Sequence, residues 1–251
     1  MASSPHHAPL VITSYNLHGV KCHDSKWHYL QNTMNHCDIL CVQEHWLFNN
    51  QSHVFSDNLD NVSYCFKSAM EDDIVLAGRP FGGCCIVWHN SLQCQIIHVE
   101  CKSKRLCCVS VKMNRNDGQI SLLLFNVYMP CDNSGNLSDF DDVLSEISAI
   151  AYSRNEECVV CIGDFNTDFS RVNSEHTKSL ISFLEREGLT SLHQSSSYQV
   201  DFTFESFCDR SRSIIDHVLV SGNLADTVNT VTCEHSPDNI SDHCPVSVHF
   251  D

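Results

Sequence analysis

An α/β (α+β) fold, with two packed β-sheets and helices outside them, is what this sequence predicts, and three observations predict it. Ten short runs rich in β-branched and apolar residues recur along the chain. Three other segments carry the apolar spacing of helices. No repeat, low-complexity block or Pro/Gly-rich linker interrupts the 251 residues. A chain of that length, 42% hydrophobic and 18% charged, can enclose one large core. Residues 10–251 are therefore expected to form one domain, and residues 1–9 a flexible N-terminal end.

The elements read in order as follows. Residues 10–15 form the first strand, 25–34 a short helix and 39–42 a strand of apolar residues. Strands at 84–88, entered through Gly82-Gly83, and at 95–99 come next. Strands at 107–111 and 120–127 flank Asn116-Asp117-Gly118, a turn signal. The helix at 137–152 opens on Ser138, Asp139, Asp141 and Asp142, which suit the positive end of a helix dipole. After a strand at 158–162, the helix at 176–187 sets Leu180, Ile181, Phe183 and Leu184 on one side and stops at Gly188. Strands at 214–220, 228–233 and 245–250 complete the chain.

Composition narrows the function classes. No apolar run approaches the roughly 20 residues needed to cross a bilayer, and residues 1–9 lack the apolar stretch of a secretory signal. Among the 16 cysteines, Cys41, Cys85, Cys108 and Cys161 sit inside apolar strands, where they act as small hydrophobes. A reducing intracellular setting, nuclear or cytoplasmic rather than secreted, is expected. Cys158 and Cys161 form a CxxC, but positions i and i+3 of a strand point to opposite faces, so they do not chelate together. A net charge of −16 argues against a general nucleic-acid binder. Local grip remains open, because bases cluster at residues 102–105, 112–115 and 210–212.

The chemistry lies at strand ends. One apolar run after another delivers a polar residue: Asn16, Glu44, Tyr128, Asp164 with Asn166 two residues on, and Asp216. Ser241-Asp242-His243 precedes the last strand. A sandwich gathers strand ends along one edge, so these residues are expected to meet in one cleft. Carboxylates converging there repel, and a divalent cation relieves the repulsion. Oxygen ligands favour Mg²⁺ or Mn²⁺ over zinc. With an imidazole and amides added, the set suits attack on a phosphodiester. Taken alone, Asn16 is as well read as a turn cap and Tyr128 as a core aromatic.

Six blocks carry a resemblance: Tyr15-Asn16-Leu17, Gln43-Glu44-His45-Trp46, Asn126-Val127-Tyr128-Met129-Pro130, Gly163-Asp164-Phe165-Asn166, Ile215-Asp216-His217-Val218-Leu219 and Ser241-Asp242-His243-Cys244-Pro245-Val246. In this order they resemble the signature blocks of the endonuclease/exonuclease/phosphatase superfamily. The resemblance implies a deoxyribonuclease I-like four-layer sandwich of two mainly antiparallel sheets flanked by helices. It implies Glu44 as principal metal ligand with Asp242 and Asn16 nearby, for Mg²⁺ with Mn²⁺ as a substitute. Asp164 resembles the residue that orients or deprotonates water, and Asn166 the amide that holds the phosphate. His243, paired with Asp216, resembles the imidazole that stabilises the pentacovalent phosphate, and Tyr128 the hydroxyl at phosphate or leaving oxygen. Whether Asp or His is the base stays open, as does one metal or two.

The block at Asp216 is similar to DNA endonucleases rather than to inositol polyphosphate phosphatases. Within the former, Thr203-Phe204 followed by Asp216 resembles the endonuclease domain of LINE-type (non-LTR) retrotransposons. A hairpin over residues 205–213 is then expected to probe a DNA groove with Arg210 and Arg212, while Thr203 and Ser241 contact the DNA backbone. The implied activity nicks one strand of duplex DNA, leaving a 3′-hydroxyl that primes reverse transcription. The domain is expected to be monomeric, free of membrane, and fused to a reverse transcriptase in its natural protein. Abasic-site repair, or phosphatase or phosphodiesterase activity of the same superfamily, is the alternative.

Overall fold

The computed structural model describes residues 9–21, 25–115, 118–133, 135–156, 158–194, 198 and 200–251. Residues 1–8, and Asn116 and Asp117 of the expected turn, lie outside the described residues. Strands are β1 (Leu10–Asn16), β2 (Ile39–Gln43), β3 (Val62–Lys67), β4 (Cys84–His89), β5 (Cys94–Val99), β6 (Leu106–Arg115) and β7 (Gly118–Tyr128). They continue as β8 (Cys158–Asp164), β9 (Leu189–Ser191), β10 (Phe204–Glu205), β11 (Arg212–Ser213), β12 (Asp216–Ser221), β13 (Val228–Cys233) and β14 (Val246–Phe250). Helices are α1 (Lys26–Met34), α2 (Val54–Asn58), α3 (Leu137–Arg154), α4 (Glu175–Glu187) and α5 (Gly222–Ala225).

Two six-stranded sheets form, ordered β13-β14-β1-β2-β4-β3 and β5-β6-β7-β8-β12-β9, with β10-β11 a separate hairpin. Each sheet is antiparallel except for one parallel pair, β1–β2 in the first and β7–β8 in the second. Strand alternation explains the layering. In β2, Ile39 and Cys41 face the core between the sheets, while Leu40 and Val42 face α1 and α2. In β7, Leu122 and Leu124 join the central core, and Leu123, Phe125 and Val127 pack with Phe140 of α3 and Phe183 of α4. Helices cover both outer faces, so the strands are apolar on both sides, which is why they read as continuous runs. Cys158 and Cys161 fall in different cores.

Registers then place the site. Parallel β1 and β2 end together at Asn16 and Gln43, and parallel β7 and β8 end together at Tyr128 and Asp164. Antiparallel β12 begins with Asp216 opposite Asp164. Because β14 runs antiparallel to β1, the Ser241–His243 segment before it returns to the end of β1. Gly163 makes the β7–β8 junction close-packed. A Cβ there would lie 2.0 Å from the Val127 carbonyl oxygen.

Candidate active site

Backbone strain marks the shared edge. His18, Glu44, Trp46 and Asn166 have φ of 48°, 50°, 59° and 49°, a left-handed conformation that non-glycine residues rarely hold. Each sits just past a strand end, where the turn aims a side chain into the cleft. Such residues cost on the order of 1–3 kcal/mol each and persist where the surroundings enforce them.

Asn16, fully buried, links the two sheets' carboxylates. Its Nδ2 donates to Glu44 Oε1 at 3.1 Å and to Asp164 Oδ2 at 2.9 Å. Its Oδ1 accepts from the His18 N–H at 3.0 Å. Asn16 therefore bridges the acids through its nitrogen, which differs from the expected presentation of an oxygen to a metal. Asp164 also accepts from the Asn166 backbone N–H at 2.8 Å and from Asn166 Nδ2 at 3.2 Å. That same Nδ2 lies 2.9 Å from the Met129 carbonyl.

On the other side of Asp164, His243 Nδ1 donates to the two Asp216 oxygens at 2.9 and 3.1 Å. Its Nε2 lies 3.9 Å from Asp164 Oδ2. Asp164, Asp216 and His243 are all buried and close enough to share one ion. Burial pushes the Asp164 carboxyl up to about 7, with Asp216 and Glu44 adding to the rise and His243 opposing it. Burial alone would lower the His243 imidazole, but the Asp216 and Asp164 carboxylates outweigh it and carry it up to about 10. Tyr128 stands in register with Asp164, and burial, then Glu44 and Asp164, raise its phenol. The Arg105 guanidinium lies 5.3 Å from the Tyr128 ring centroid.

Asp242 is half-buried and accepts from His18 Nδ1 at 2.8 Å. Burial raises its carboxyl, yet the His18 hydrogen bond and the His243 and His18 charges bring it below the ordinary range. Glu44 Oε2 accepts from Trp46 Nε1 at 2.9 Å. His18 and Trp46 meet edge-on, with centroids 5.2 Å apart, and so join the two acids expected to hold metal. Sequence reasoning missed His18; nothing but its place two residues after Asn16 could have signalled it. It also passed over the buried amide bridge from Gln43 Nε2 to Asn126 Oδ1, 2.6 Å, which ties β2 to β7 beneath the site.

The four residues expected to meet DNA are placed differently. Thr203 is fully buried, and its hydroxyl accepts from the Ile215 and Asp216 backbone N–H groups, both at 3.0 Å. Ser241 is 5% exposed and donates to the Asn16 carbonyl at 2.7 Å. Both are turned to the protein and position Asp216 and Asn16; neither faces a phosphate. Arg210 and Arg212 do lie on an exposed hairpin, as expected, but each pairs with Glu205 at 2.6 Å. The hairpin base is fixed to the site by Glu205 N–H donating to the Asp242 carbonyl at 2.8 Å. His217 is buried and its Nε2 donates to the Thr167 carbonyl at 2.8 Å, a supporting role.

The family described as endonuclease-reverse transcriptase matches residues 122–247, half of the chain. The chain belongs to this family. Membership makes it a hydrolytic nuclease of the endonuclease/exonuclease/phosphatase superfamily, and the match spans Tyr128, Asp164, Asn166, Asp216, Asp242 and His243. Asn16 and Glu44 precede the matched stretch and join it through the Asn16 bridge. No curated protein sequence matches the chain. Among solved structures, an AP endonuclease from Leishmania major superposes with a TM-score of 0.75 at 15% identity, covering 97% of this chain and 88% of that one. The Xenopus laevis APE2 catalytic domain gives 0.74 at 17%, covering 95% and 91%. The endonuclease domain of TRAS1, a telomere-specific non-LTR retrotransposon, gives 0.69 at 15%, covering 96% and 98%. At such identities the likeness is one of fold: the four-layer sandwich expected from the family's blocks.

Proposed function

We propose that this family member is a Mg²⁺-dependent DNA endonuclease that nicks one strand, leaves a 3′-hydroxyl, and serves a retroelement as the start of target-primed reverse transcription. One observation carries the catalytic part: Asp164 sits between a cationic imidazole and an amide-bridged Glu44, with its own pKa near neutrality. A group that titrates near 7 and touches the cleft is suited to take a proton from water. His243, protonated at that pH and locked by Asp216, is suited to stabilise negative charge on phosphorus. That division of labour favours Asp164 as base, the choice the sequence left open.

Divalent metal use is general in this family, and the donor set fits a hard cation. Buried carboxylates crowd Asp164, their mutual repulsion shows in its raised pKa, and oxygen donors predominate. Glu44 and Asp242 would hold the ion, which when bound polarises a phosphate oxygen. Asn166 Nδ2 orients the Asp164 carboxylate, and Tyr128 offers a phenol that burial keeps protonated. The family's description and the likeness to TRAS1 support the retroelement reading and fusion to a reverse transcriptase. The test is supercoiled plasmid incubated with the protein and Mg²⁺. Open circles with 3′-hydroxyl ends, abolished by EDTA, are expected. Cleavage confined to plasmid carrying abasic sites would favour repair instead.

A further inference from the structure

The Trp46 side of the cleft holds a feature that phosphoester chemistry does not require. Its indole hydrogen-bonds Glu44, and it packs so tightly on Gly19 that a Cβ there would lie 2.1 Å from the ring. Gly19 is thus reserved to admit a large aromatic beside the metal-holding acid. The exposed Arg79 lays its guanidinium 5.2 Å from the Trp46 ring centroid. Between them opens a cleft of about 520 Å³, lined by His18, Lys21, Trp46, Phe48, Arg79 and Pro80 among others. That volume falls within the range of small-molecule sites, about 300–1,000 Å³.

Charge points to the occupant. The chain as a whole is strongly acidic, and the hairpin arginines are neutralised by Glu205. Lys21 and Arg79, by contrast, have no carboxylate partner among the described residues. The loop that carries Arg79 also exposes Ile74 and Val75, 62% and 94% accessible. Unpaired cations, two aromatic rings and apolar loop residues next to a phosphate-cleaving centre form a stacking platform for a base with an anionic backbone.

We propose that this cleft takes one unpaired nucleobase of the cleaved strand, stacked on Trp46 and Phe48 and covered by Arg79, adjacent to the phosphate held at Glu44. The proposal rests on the nuclease reading and makes the enzyme prefer sites where a base leaves the helix easily. Trp46 also positions Glu44, so the test uses Arg79→Ala and Phe48→Leu, the latter keeping apolar volume while removing the π-face. Binding is measured in EDTA, where no strand is cut, to a perfect duplex and to the same duplex with one unpaired nucleotide. The wild type is expected to bind the bulged duplex roughly tenfold tighter, and each substitution to lower that ratio about threefold or more. An equal loss on both duplexes, leaving the ratio unchanged, would reveal general charge attraction only and overturn the base site. Plasmid nicking in Mg²⁺ is run alongside. Nicking without any preference for the bulge removes the base site and leaves the nuclease reading intact. A preference that depends on Arg79 and Phe48, without nicking, keeps the base site and removes the nuclease reading.

Discussion

Removing divalent metal should make this protein's stability fall as the pH rises from 5.5 to 8.5. The cause is Asp164, which is 1% exposed and carried from the ordinary 3.8 to about 7 by burial and its acidic neighbours. A carboxyl with a raised folded pKa holds its proton more tightly in the folded state. The resulting stability is complete below pH 4 and is lost progressively as the pH rises through 7. The pH interval from 5.5 to about 7 corresponds to a loss of about 2 kcal/mol for this group. His243 adds in the same direction, since its pKa is raised to about 10 and its contribution drains away above 6.5. The two groups share one charge balance, so the measured drop is smaller than their separate effects combined. Urea unfolding in EDTA, followed by tryptophan fluorescence, reads the effect. Asp164→Asn should flatten the profile, and Mg²⁺ should restore stability at pH 8.5 far more than at 5.5. A metal-free profile that is flat or rising between those values would refute the electrostatic account of the site.

Other consequences follow from single contacts. Gly163→Ala drives a methyl group against the Val127 carbonyl oxygen and should cost about 3 kcal/mol or more, read as a lowered Tm. Thr203→Val leaves two buried backbone N–H groups at Ile215 and Asp216 unsatisfied, with a loss on the order of 2–4 kcal/mol by denaturant titration. Asp216→Asn and His243→Ala should each reduce nicking by about a thousandfold or more, and the double variant should be hardly worse, because the two act as one unit. Glu205→Gln frees Arg210 and Arg212 and should tighten DNA binding several-fold, with a steeper dependence on salt.

Much of the site was legible because β-sandwich registers turn strand ends into neighbours. Asn16, Glu44, Asp164 and Asp216 each terminate or begin a strand that reads as an apolar run, so their convergence follows from alternation and topology. The α4 cap at Gly188, with φ of 64°, was equally plain. What stayed hidden depends on side-chain direction. Thr203 and Ser241 look like phosphate contacts in sequence, but their hydroxyls are consumed by backbone groups that only the fold brings near. The hairpin arginines read as free cations until Glu205 is seen between them. β3 went unread because it is an edge strand, half-buried along most of its length and mixed in polarity. Trp46 was noticed as a neighbour of Glu44, whereas its ring contacts with His18, Gly19 and Arg79 need coordinates.

Conversion of supercoiled plasmid to open circles, compared between wild type, Glu44→Gln and His243→Ala across a Mg²⁺ titration, bears most directly on a cation-assisted phosphodiesterase. Glu44→Gln should need much more Mg²⁺ to reach any given rate, whereas His243→Ala should stay slow at every concentration. Plasmid left supercoiled by folded wild-type protein, or an identical Mg²⁺ response in all three, would contradict it.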